Sequence, residues 1–138
     1  MSPLKGKKII VAEDDTLLRE TLANYFKAQG AEVSVAENGA IAFEMVQQTA
    51  FDVVLTDIRM PGGDGLTLIK NIATKIEKKP LVFACSGFSD LDLKAEDVKR
   101  YNVVAIFEKP FNSREMLSII SNAVTKSESE NKGAHKAS

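Results

Sequence analysis

Tryptophan is absent, cysteine occurs once, and neither sign of charge is in excess. The single cysteine, Cys85, excludes an internal disulfide and suits a reducing compartment. Lys plus Arg number 18 and Asp plus Glu 19, for a formal net charge of −1. That balance supplies no basic face for nucleic-acid phosphates and no polybasic membrane anchor. Apolar runs such as Ile9-Ile10-Val11-Ala12 are far shorter than the roughly 20 residues a membrane-spanning helix needs. The basic start leads on towards Glu13-Asp14-Asp15 without the apolar core of a secretory signal. The expectation is a cytoplasmic chain with no membrane and no direct nucleic-acid partner. What is present is 138 residues, 44% of them hydrophobic, which fits one ordinary domain with enough core to need no metal or disulfide staple.

Two kinds of segment alternate along the chain. Apolar, β-rich runs occupy 8–12, 32–36, 51–56, 80–85 and 103–108. Longer stretches with helical spacing lie between them. Leu18, Leu22, Tyr25 and Phe26 form the first stripe, and Gly30 is placed to end it. Residues 39–48 carry Ile41, Ala42, Met45 and Val46; a third helix carries Leu66, Ile69, Ile72, Ala73 and Ile76. A charged fourth segment at 90–101 ends at Asn102, a residue that tolerates the left-handed conformation. The fifth helix opens with the capping spacing Asn112-Ser-Arg-Glu115 and presents Met116, Leu117, Ile120 and Val124 on one face. Five strands alternating with five helices predict right-handed crossovers and a parallel sheet covered on both faces. The folded domain is expected over 1–126. The tail, 127–138, has no large apolar residue and is expected to be disordered.

Open α/β sheets bind ligands beyond the carboxyl ends of their strands. There the chain places Glu13-Asp14-Asp15, then Asp57, then Ser86, then Lys109-Pro110. Clustered carboxylates repel one another, and a hard divalent cation with oxygen ligands offsets that repulsion. Mg2+ with a phosphate fits such a site and permits an aspartate to attack phosphorus. Lys109 and Ser86 suit the remaining phosphoryl oxygens, one by charge and one by hydrogen bond. Each residue alone has an ordinary explanation. Asp15 reads as an N-cap, Ser86 as a turn residue, Asp57 and Lys109 as solvated charges, and Met60-Pro61-Gly62-Gly63-Asp64-Gly65 as a turn before a helix. Mutually useful groups on four separate strand ends outweigh those readings.

In order and spacing, Glu13-Asp14, Asp57 within Asp-Ile-Arg-Met-Pro-Gly-Gly-Asp-Gly, Ser86 and Lys109-Pro110-Phe111 resemble the receiver domain of bacterial response regulators over about residues 7–126. The resemblance implies a flavodoxin-like, doubly wound α/β fold with strand order 2-1-3-4-5. It also implies a two-component phosphoacceptor and not a conventional enzyme, with intrinsic self-phosphorylation and self-dephosphorylation. Asp57 would take a phosphoryl group from a sensor histidine kinase or phosphotransfer protein. Asp14, Asp57 and the backbone carbonyl of Arg59 would bind Mg2+, and Glu13 would act there through water. Ser86 and Lys109 would hold the phosphoryl group, with Lys109-Pro110 cis, and a change of a protein-binding face would signal to a downstream protein. The initial Met and polar tail suggest a stand-alone receiver.

The sequence departs from the family pattern three residues before the lysine. Family members usually carry Tyr or Phe there, whereas this chain has Ile106 and places Phe107 one residue later. A one-residue shift along a strand turns a side chain to the opposite face, so Phe107 is expected in the core and not in the switch position. Arg59 and Phe88 flank the approach to the acceptor in the family, and neither orients a water, which suggests a long-lived phosphorylated state. Other classes fit less well. A dinucleotide-binding domain needs a glycine-rich turn where Glu13-Asp14-Asp15 stands. An aspartyl-phosphate phosphatase needs an acid where Arg59 stands. A phosphorylation-independent interaction module would have lost one of the site residues.

Overall fold

The computed structural model describes residues 2–61, 64–87 and 100–137, with side chains to 130. The helix expected at 90–101 lies, but for its last residues, outside the described residues, as do Phe88, Gly62 and Gly63. Five strands form one sheet: β1 (Lys8–Ala12), β2 (Glu32–Ala36), β3 (Val53–Asp57), β4 (Leu81–Ser86) and β5 (Val103–Glu108). All neighbours are parallel, in the order β2-β1-β3-β4-β5. Four helices are described: α1 (Thr16–Ala28), α2 (Gly39–Gln48), α3 (Gly65–Lys75) and α4 (Ser113–Ala137).

Alternation along the strands divides the core into two layers. Ile10, Ala12, Val54, Val82 and Ala84 pack with Ala42 and Val46 of α2 and Leu68, Ile69 and Ile72 of α3. Ile9, Val11, Val53, Leu55, Phe83 and Cys85 pack with Leu22 and Phe26 of α1 and Met116, Ile120 and Val124 of α4. Burial on both faces explains why the strands read as continuous apolar runs. Ile106 packs on the first layer, while Phe107 is buried in the second and stacks on Phe83, with ring centroids 6.0 Å apart. The neighbouring residues thus belong to opposite layers, as the shifted aromatic predicts.

Local chemistry sets the ends of these elements. Asp15 caps α1 by accepting the Leu18 amide at 2.9 Å, and Asn112 caps α4 by accepting that of Glu115 at 3.0 Å. Gly30 has φ 89°, and the Gly30 and Ala31 amides return to Lys27 and Phe26, closing α1 with paired hydrogen bonds. Asn102 has φ 58°, the left-handed conformation expected of it. Two boundaries differ from the sequence reading. Strand β3 begins at Val53 and takes in Asp57, because pairing with Cys85 of β4 continues past the apolar run. Helix α4 runs on to Ala137, where composition predicts a disordered tail. Elongating a formed helix is far easier than nucleating one, and an ion pair from Lys7 to Glu128 ties its middle to the domain.

Candidate functional site

The carboxyl ends of the strands bring the charged residues together. Register aligns Ala12 with Thr56, so Glu13, next after β1, stands beside Asp57, the last residue of β3. Lys109 follows β5, and its backbone amide donates to Ser86 O at 2.8 Å. From there its side chain passes β4, and its ammonium lies 2.9 Å from Asp57 Oδ2 and 3.2 Å from Glu13 Oε1. A long cationic side chain is needed to reach from the end of β5 past β4 to Asp57, two strands away, and on to Glu13 at the end of the third strand along. The Lys109-Pro110 bond is cis.

Both acids are oriented from the other side as well. Asp57 Oδ1 accepts the Ile58 amide at 3.0 Å, and Glu13 Oε2 accepts the Asp15 amide at 3.1 Å. Their exposures are only 7% and 3%, whereas Asp14 is exposed at the mouth. Burial, together with the Asp14 and Asp57 carboxyls, raises the Glu13 pKa to about 7, against the lowering effect of the Asp15 amide and Lys109. Burial pulls the Lys109 pKa down, but the bond to Asp57 and the charges of both acids outweigh it and hold the ammonium above its ordinary range. Cys85 is buried beside this cluster, and burial pushes its thiol up to about 12, so it is no nucleophile at neutral pH.

Glu13, Asp14 and Asp57 each offer a carboxylate oxygen, and these oxygens lie within 4.8 Å of one another. Three hard oxygen donors at that separation, one of them open to solvent, fit a divalent cation that keeps part of its water shell. Ser86 closes β4 on the same rim, where its hydroxyl donates to Gly87 O at 3.3 Å. Arg59 lies two residues past Asp57, exposed between the buried Ile58 and Met60.

Two residues shape this site although the sequence reading gave them no part in it: Gly65, read there only within a turn before a helix, and Arg19. A Cβ on Gly65 would lie 1.8 Å from the Asp57 carbonyl oxygen, so only glycine lets α3 start against the strand end. Its signal was a glycine at the first position of a helix, where propensity disfavours it. The second is Arg19, which donates to the backbone of the Glu13-Asp14 turn.

Residues 9–121 match the response regulator receiver domain family. The response regulator receiver protein CpdR of Brucella abortus is 34% identical over 115 residues, covering 83% of this chain and 93% of that protein. Proteins named ycf29 from Porphyra purpurea and Pyropia yezoensis are each 30% identical, and the chain spans about half of their length, 56% and 54%. A Francisella response regulator receiver domain superposes with a TM-score of 0.75 at 28% identity, covering 88% of this chain and 98% of that one. The chain belongs to the response regulator receiver family of two-component signalling systems.

Proposed function

We propose that Asp57 is the phosphoacceptor of this receiver and that Mg2+ assists the transfer. The observation that carries this reading is the convergence of Lys109 on Asp57 and Glu13, beside three carboxylates whose oxygens lie within 4.8 Å. Asp14, Asp57 and the Arg59 carbonyl would hold the cation, with Glu13 acting through water. Bound there, Mg2+ supplies the charge that lets an anionic carboxylate meet an anionic phosphoryl group. The donor is a phosphohistidine on a sensor kinase or phosphotransfer protein. An Asp57 oxygen forms the new P–O bond, the P–N bond breaks, and the leaving imidazole takes a proton. Lys109 moves from the carboxylate to a phosphoryl oxygen, and Ser86 turns its hydroxyl from Gly87 O to another. Since Lys109 bridges two strand ends, its move transmits the event from β3 to β5. A changed protein-binding face then reaches a downstream protein, and water later returns the aspartate.

The test is the intact mass after incubation with Mg2+ and acetyl phosphate. One added phosphoryl group in the wild type, absent in Asp57→Asn and in wild type without Mg2+, is the expected outcome. Labelling that persists in Asp57→Asn refutes the assignment.

A further inference from the structure

We infer that Arg19 is a positioning residue for the cation site, acting through the backbone of the turn that carries Glu13 and Asp14. The inference rests on the reading of the acidic cluster as a divalent-cation site and adds the residue that holds it in shape. Arg19 lies one turn into α1, three, four and seven residues before the buried Leu22, Ala23 and Phe26. That spacing puts it on the inward face of the helix, at the end nearest the rim, where a charged side chain must find acceptors. It is half-buried there. Its Nη1 donates to Glu13 O at 2.9 Å and, at a longer 3.4 Å, to Asp14 O, while Nη2 reaches Thr16 Oγ1 at 3.5 Å.

These bonds close a set of restraints on one short turn. The Glu13 amide donates to Ala36 O at 3.0 Å, the Asp15 amide to Glu13 Oε2 at 3.1 Å, and the Asp15 carboxylate caps α1. Arg19 takes the two carbonyls between them. With amide and carbonyl both held, the chain direction at residues 13 and 14 is set, and so is the aim of the two carboxylates it carries. A guanidinium suits this task because one planar fork offers several donors at fixed angles, which an ammonium does not.

Geometry and charge predict opposite signs. By charge alone, removing a cation near a cation site tightens Mg2+ binding. If Arg19 aims the acids, removing it weakens binding, since second-layer partners of ligands commonly contribute tenfold or more to metal affinity.

Amide NMR titration with Mg2+ at fixed ionic strength suits a chain that lacks tryptophan. Wild type, Arg19→Ala, Arg19→Lys and Asp14→Ala are compared, with thermal melting to check the fold. The expected result is a Kd raised about tenfold in Arg19→Ala and several-fold in Arg19→Lys. Acetyl phosphate labelling of both variants should recover at saturating Mg2+. A folded Arg19→Ala whose Kd is unchanged or lower overturns the inference; should that variant not fold, the same result in Arg19→Lys does so. Asp14→Ala serves as the control for the site itself and should show no saturable Mg2+ shift. Wild-type Mg2+ affinity in Asp14→Ala would instead condemn the acidic-cluster reading, and the role of Arg19 would fall with it.

Discussion

Strand β3 has an aspartate at each end, and the two do different work. Asp52, directly before the strand, is exposed; its carboxylate accepts the Lys8 amide at 2.8 Å, its amide donates to Lys8 O at 2.8 Å, and its carbonyl accepts the Leu81 amide at 2.9 Å. It stitches β1, β3 and β4 together at their amino ends, and water can replace much of what its side chain contributes. Asp57, which closes the strand, is buried between a backbone amide and an ammonium, with two more carboxyls beside it. One end of the sheet satisfies an acid with backbone. The other gathers acids for which one backbone amide each is not enough, so that an ammonium takes the remaining oxygens, and such crowding is where reactivity is stored.

The largest effect expected is at the reactive end. Asp57→Asn retains an acceptor for the Ile58 amide, so the fold should persist while phosphoryl labelling falls to nothing; mass spectrometry and circular dichroism check both halves. Next comes the close approach behind that aspartate. Gly65→Ala drives a methyl into the Asp57 carbonyl, and the forced shift should cost about 3 kcal/mol in denaturant melts, with slower labelling.

Crowding should also show as a pH dependence. The Glu13 pKa is raised from 4.5 to about 7 in the folded state, so without Mg2+ the folded protein binds the extra proton in that window. Its contribution to stability is therefore present below the unfolded value and lost as pH rises through about 7. Urea melts between pH 5 and 8 should show a loss of about 2 kcal/mol, which Glu13→Gln removes and Mg2+ diminishes. The smallest effect belongs to the other end of β3. Asp52→Ala should cost about 1 kcal/mol and leave the labelling rate unchanged. A large loss of labelling in that variant would erase the contrast between the two ends.

Much of this architecture is written in local pattern. Apolar runs marked all five strands, Asp15, Gly30 and Asn112 marked helix ends, and Asn102 a left-handed turn, because caps and such turns depend on a few adjacent residues. The rim residues were legible too, since a parallel sheet delivers its strand ends to one edge whatever the details of packing. Boundaries were less so at β3. Phe51 is buried yet precedes the strand, and Asp57 is polar yet belongs to it, because apolarity reports burial and not hydrogen bonding.

Sequence alone thus determined the order of the elements, the two-sided sheet and the set of groups on its rim. These follow from the chain's covalent order and from periodicity that each segment carries by itself. Only the tertiary structure decided which of those groups meet. That Lys109 bridges Asp57 and Glu13, that α3 must begin with a glycine, and that Arg19 turns inward to two carbonyls all depend on contacts between distant segments. Lys109 and Glu13 stand 96 residues apart, and no local pattern encodes a distance of 3.2 Å between them.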